Sequence, residues 1–157
     1  MNEKKRELEL KMEEKKKVAE IQSRFENGDR LNLVQPNRKF IREALVGEMK
    51  GFQTKEITLL LFTDLLVRAK ALKNGKLKFG GMVSIEKMKV SAGEQGGLQF
   101  LVSDVDKPNK HFTFFTTNVE ATQQWMKDLR TLMLEKKLGQ NEALRKSVRY
   151  AIFRTIG

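Results

Sequence analysis

Residues 57–72 read ITLLLFTDLLVRAKAL, and this stretch constrains the fold more than any other. Residues 57–62 form an apolar run broken by one Thr. The run is far short of the ~20 residues that a membrane span requires, but it has the length of a buried strand. Thr63-Asp64 supplies a tight turn. Residues 65–72 then alternate, with Val67, Ala69 and Ala71 on one face and Arg68 and Lys70 on the other. Two strands alone are marginal in water, so this hairpin requires more strands around it.

The flanking sequence supplies them. Ile41, Leu45 and Met49 fall in a strand that ends at the turn Lys50-Gly51, and Asn74-Gly75 is a strong hairpin signal. Further strands are expected at 79–85, 88–91, 98–103 and 111–116. Gly96-Gly97 and Asp106-Lys107-Pro108-Asn109 separate them. About seven strands at hairpin spacing predict an antiparallel sandwich or barrel.

On either side the period is helical. Residues 2–27 hold no Pro or Gly, and Gly28 follows as a stop. The apolar stripe of this helix is thin: Leu8 and Met12, then EEKKK at 13–17, then Val18, Ile21 and Phe25. Its C-terminal half is suited to docking on a neighbour, and its N-terminal half is solvated or lacks its partner. Residues 29–37 read as a linker. At the other end Thr117-Asn118-Val119-Glu120 has the spacing of a capping box. Ala121, Trp125, Leu129, Leu132 and Met133 then form one helical stripe that Gly139 ends. The fold class is therefore mainly β with flanking helices: seven antiparallel strands capped by one C-terminal helix, with a long N-terminal helix. A chain of 157 residues fits one such domain.

Several chemistries are excluded. With no cysteine there is no disulfide, thiolate zinc site or thiol nucleophile. The single histidine, His111, has no carboxylate or second histidine near it in sequence and reads as a surface residue. No phosphate-binding loop or paired carboxylates appear. Gly80-Gly81 and Gly96-Gly97 open no helix and read as strand ends or bulges. The chain is expected to be no enzyme, to use no cofactor and to bind no metal. Its charged N-terminus is unlike a signal peptide, which suggests a cytoplasmic location.

Net charge is +11, and it is concentrated. Residues 36–90 carry 12 basic and 5 acidic side chains, and residues 65–85 carry five basic and no acidic ones. Such a face suits phosphate-rich partners. Nucleic acid is the less fitting one, because strand aromatics such as Phe112 and Phe114 alternate inward and leave little exposed stacking platform.

Seven strands closed by one Trp-bearing helix resemble a pleckstrin-homology (PH) domain, in the version found in Dbl-family Rho guanine-nucleotide exchange factors. Residues 38–45 (RKFIREAL) are similar to that family's entry into the first strand. Residues 59–67 (LLLFTDLLV) are similar to its second hairpin, and Trp125 with Leu129 to its closing helix. Asn2-Glu3 with Arg6 resembles the middle of the last Dbl-homology helix. The resemblance implies three parts: residues 1–30 as that helix and its linker, 31–138 as the PH domain and 139–157 as a basic tail. It also implies an exchange surface upstream of residue 1, a Rho-family small GTPase as partner of the parent protein, and peripheral attachment to anionic phosphoinositide membranes.

The resemblance places the first-second and third-fourth strand connections together at one end, so Lys50, Lys55, Arg68, Lys70, Lys73 and Lys76, with Lys78, would converge there as a lipid-binding group. The bland reading is a solvated cationic face. Where tight phosphoinositide binders carry an Arg, this chain has Ile57, so no guanidinium fork is expected and binding should be weak and indifferent to isomer. A second function fits the same fold: contact with a small GTPase or neighbouring domain, without lipid. The tail repeats Leu144, Val148, Ile152 and Ile156 among arginines, as a membrane-surface helix or as a segment docked on its own domain.

Overall fold

The 57–72 hairpin lies within a seven-stranded antiparallel sheet, seen in a computed structural model that describes residues 2–93 and 96–140. The elements are α1 (Asn2–Ser23), β1 (Phe40–Lys50), β2 (Gln53–Phe62), β3 (Leu65–Ala71), β4 (Leu77–Ser84), β5 (Met88–Ala92), β6 (Gln99–Asp104), β7 (Lys107–Phe115) and α2 (Val119–Gln140). Strand order is β4-β3-β2-β1-β7-β6-β5, so β4 and β5 are the edges. The segment 141–157, including the proposed tail helix, lies outside the described residues.

The apolar run is continuous because both faces of β2 and β3 are covered. Ile57, Leu59, Leu61 and Leu66 point into the main core, where they meet Val83, Phe100, Val102 and Phe114 from the other strands. Trp125, Met126, Leu129 and Leu132 of α2 close that core, and the Trp125 indole stacks on Phe100 at 6.1 Å between centroids. Leu60, Phe62, Leu65, Val67 and Ala69 point the opposite way, into a second core. Val18, Ile21 and Phe25 from α1 and its end, together with Leu33 of the linker, cover that face. The C-terminal half of α1 thus docks on the outer face of the sheet, whereas Leu8, Leu10 and Met12 remain exposed.

Ion pairs tie these layers together. Arg24 grips Glu43 of β1 through both carboxylate oxygens, at 2.6 and 2.8 Å. These hydrogen bonds hold the Glu43 carboxyl below its ordinary range, outweighing the opposing effect of partial burial. Arg38 in the linker forms a second fork with Asp64 in the β2–β3 turn, at 2.8 and 2.9 Å. Arg42 of β1 reaches Asp128 of α2 at 2.6 Å and lies 5.3 Å from the Trp125 ring centre.

Local expectations at the ends of the elements are corrected. The first helix stops at Ser23, short of residue 27, because the chain leaves it to pair with β4. Leu77 N–H donates to the Arg24 carbonyl and Glu26 N–H to the Leu77 carbonyl, both at 2.8 Å. The second helix is capped by Asn118, one residue later than the Thr117 box: Asn118 Oδ1 accepts from Ala121 N–H at 2.7 Å. That helix runs through Gly139 to Gln140. The expected turn at 106–109 is shorter, since β7 already begins at Lys107. In β1, Ile41, Leu45 and Met49 occupy the outer face and stay largely exposed, whereas Val46 faces the core.

Candidate functional site

The sheet order puts three hairpin turns at one end: β1–β2, β3–β4 and β6–β7. The first is a two-residue turn, Gly51-Phe52, flanked by the pair Lys50 and Gln53. Gly51 has φ +62°, a conformation that favours glycine. The β3–β4 turn is held by Asn74, whose Oδ1 accepts from Lys76 N–H at 3.0 Å, and by Gly75 at φ +84°.

This end collects the cations expected from the sequence. Lys55 stands opposite Glu48, and Lys70 stands opposite Lys78. Strand alternation therefore sets Lys50, Lys55, Lys70 and Lys78 on the core-facing rows, continued past the point where the core stops. Lys73 and Lys76 lie in the turn beside them. All six lysines are exposed. Only Lys50 approaches an acid among the described residues, with Nζ 3.8 Å from Glu48.

Arg68 belongs to this end but not to its free surface. Its Nε and Nη2 bond both oxygens of Glu48, at 2.7 and 2.5 Å. Its Nη1 donates to the Gly80 carbonyl at 3.0 Å, and its guanidinium lies 4.1 Å from the Phe112 ring centre. Glu48 is 2% exposed. Such a pair is stable only with good geometry and its remaining polar groups satisfied, and here the fork, the carbonyl and the ring meet both needs. Gly80-Gly81 makes this possible as a bulge in β4, where the register slips between Arg68 and Ala69. Gly81 has φ +137°, and a Cβ there would come 3.2 Å from Arg68 Nη1. The Gly-Gly pair is thus a bulge built around an arginine.

Ile57 is buried opposite Val46 and forms part of the main core. An arginine there would place a charge in apolar surroundings. Beside the Arg68 clamp a cleft of about 650 Å³ separates β4 from the β6–β7 hairpin. Lys107, Lys110 and His111 line it together with Asp104 and Phe112. Lys107 and Lys110 escaped the sequence reading as site residues because they lie far along the chain, and only the hairpin register brings them to this end. Among the described residues no group of His, Asp and Glu has the arrangement of a metal site. No helix among them is long and apolar enough to cross a membrane.

No family model and no curated protein matches the chain. Solved structures do. The DH/PH domain of human ARHGEF11, in a ternary complex with human RhoA and its inhibitor, aligns at TM-score 0.66 and 17% identity, covering 80% of this chain and 40% of that one. The DH/PH domains of PDZ-RhoGEF in complex with GTP-gamma-S activated RhoA align at 0.66 and 16%, covering 80% and 41%. An activated truncation of Vav1 aligns at 0.63 and 14%, covering 77% and 32%. The chain spans well under half the length of these matches. At such identities the likeness concerns architecture, and it agrees with the strand order and closing helix described above: the chain has the PH fold.

Proposed function

We propose that the chain is a PH module with the preceding helix of a Rho-type exchange factor, and that it attaches the parent protein to anionic membrane by electrostatics. In this reading residues 1–30 are the end of the exchange domain and its linker, 31–138 the PH domain and 139–157 a basic tail. The observation that carries the membrane part is the group of six exposed lysines at one end of the sheet. Each contributes about 1 kcal/mol near an acidic bilayer, so together they give a useful, salt-sensitive attraction. Arg68 is not part of that attraction, because Glu48 neutralises it. With the nearest guanidinium engaged and Ile57 in the core, ammonium point charges remain, and these discriminate poorly between phosphoinositide isomers.

The test is sedimentation with acidic vesicles. Lys73→Glu combined with Lys76→Glu, both in the exposed β3–β4 turn, removes two positive charges and adds two negative ones away from the Arg68–Glu48 clamp. Binding is expected to vanish. Unchanged binding would overturn the membrane reading and favour contact with a small GTPase or a neighbouring domain.

The docked α1 supports a second part of the reading. A helix held by an apolar core and an Arg24–Glu43 fork is a stiff connection to whatever precedes it, suited to orienting an exchange domain. The chain is not itself expected to catalyse exchange. Fluorescent-nucleotide release from RhoA should proceed at its background rate in its presence, and clear acceleration would overturn this.

A further inference from the structure

The sequence has two Asn-Gly pairs, Asn27-Gly28 and Asn74-Gly75, and the fold treats them differently. In such a pair the glycine nitrogen can attack the asparagine side-chain amide, since glycine turns freely and has no Cβ to obstruct the approach. Asn74-Gly75 forms the tip of the β3–β4 turn, where Lys73, Asn74, Gly75 and Lys76 are all exposed. Gly75 has φ +84° and nothing within 4 Å of where a Cβ would stand. Asn74 Oδ1 accepts from Lys76 N–H at 3.0 Å. A donor already on that oxygen stabilises the negative charge it acquires when a nucleophile adds to Cγ. Lys73 and Lys76 on either side favour the deprotonated nitrogen that does the adding. One restraint must give, because Gly75 N–H donates to the Leu72 carbonyl at 3.0 Å. That bond lies in a turn tip, where local opening costs little free energy.

Asn27-Gly28 lacks this freedom. Asn27 is left-handed at φ 57°, and the Asn27 and Gly28 carbonyls accept from Arg30 and Leu31 N–H at 3.1 and 3.0 Å. Glu26 before them is tied to β4 through Leu77. A Cβ on Gly28 would collide with the Gln22 carbonyl oxygen, so this backbone has no room to rearrange. Its sequence neighbours Glu26 and Asp29 are acidic and oppose a deprotonated nitrogen.

We propose that Asn74 is a site of spontaneous deamidation, which lowers the charge of the lysine group as the molecule ages. The Gly75 nitrogen gives its proton to hydroxide and bonds to Asn74 Cγ. The Cγ–Nδ2 bond then breaks, and ammonia leaves with a proton from water. Water opens the resulting imide at either carbonyl. Cleavage between the nitrogen and Cγ gives aspartate, and cleavage between the nitrogen and the Asn74 main-chain carbonyl carbon gives isoaspartate. Overall one water is consumed and one ammonia released, with no oxidant or further reactant. Either product sets a carboxylate between Lys73 and Lys76, and isoaspartate also adds a methylene to the backbone of the turn. The effect on membrane attachment rests on the reading above, whereas the chemistry does not.

The test follows the whole chain by peptide mapping and mass spectrometry during incubation at neutral and mildly alkaline pH. Asn74 should convert several-fold faster than Asn27, and faster at the higher pH, with isoaspartate detected by a protein isoaspartyl methyltransferase. In urea, where neither turn survives, the two rates should draw together. Asn74→Gln has a longer side chain that does not close this ring readily. It should abolish conversion at the turn and leave the thermal melt unchanged. An Asn74 that stays intact throughout would overturn the proposal, as would conversion at Asn27 equal to or ahead of Asn74 in the folded chain. Vesicles of phosphatidylcholine with phosphatidylserine separate the consequence from the chemistry. Converted protein should leave them at lower salt than fresh protein. Fresh protein that never binds would sink the membrane reading, while the mass shift would still uphold the modification. Equal release of the two forms would overturn the effect on attachment alone.

Discussion

Arg68→Ala is expected to lower the unfolding free energy by about 3–5 kcal/mol, the range for breaking a buried ion pair from one side. The cost arises less from the lost attraction than from the partner left behind. Glu48, 2% exposed, would be left inside the sheet with both fork hydrogen bonds gone. The Gly80 carbonyl would lose its donor and Phe112 its stacked guanidinium. Arg68→Lys keeps the charge but not the fork, and should recover only part of the loss. Replacing Glu48 and Arg68 together with leucine or methionine should be far milder than either single truncation, since no orphaned charge remains. Urea titration of the four proteins reads these differences directly. A loss below about 1 kcal/mol for Arg68→Ala would mean that water reaches Glu48 and the clamp is not buried. The same series bears on function. If Arg68 is structural, its loss should weaken vesicle binding only in proportion to unfolding, whereas Lys73 and Lys76 in the exposed β3–β4 turn act on binding with no loss of stability.

Trp125→Ala should cost a similar ~3–5 kcal/mol, by a different route. Trp125 is 2% exposed and sits where α2 meets the sheet, against Phe100 on one side and Arg42 on the other. Truncation leaves a cavity that rigid strands cannot close, and it removes the anchor of the only helix among the described residues that covers the main core. For a domain of ordinary stability this is a third or more of the total. The melting temperature should fall by more than about 10 °C. Trp125→Phe retains an aromatic against Phe100 and should cost clearly less. A melt that barely moves would show that α2 is dispensable to the core, contrary to its packing.

What the sequence determined by itself was whatever depends on near neighbours. The 57–72 hairpin, the Asn74-Gly75 turn and the Trp125 helix each announce themselves within a few residues, through period, turn chemistry and an apolar stripe. Strand count and order of elements followed from these, and the likeness to the PH fold followed from their order. The lysine group was readable for the same reason: hairpins on consecutive strands bring their alternate turns to one end whatever the details. Even the oddity of the first helix, half apolar and half charged, was correctly read as one docked half and one exposed half.

Only the tertiary structure decided where that helix docks and what Arg68 does. Period 2 places Arg68 with Lys70 on one face, and nothing local separates the two. Glu48 lies 20 residues upstream, and register alone turns its carboxylate toward Arg68. One lysine row therefore continues into solvent, while the arginine beside it is drawn into the interior. Ile41, Leu45 and Met49 show the same limit from the other side. Their spacing says that they share a face but not which face is inner, because α1 covers the outer face beside them only in part. Burial is a property of what arrives from elsewhere in the chain, and pairwise geometry between distant residues is not written in the spacing of either.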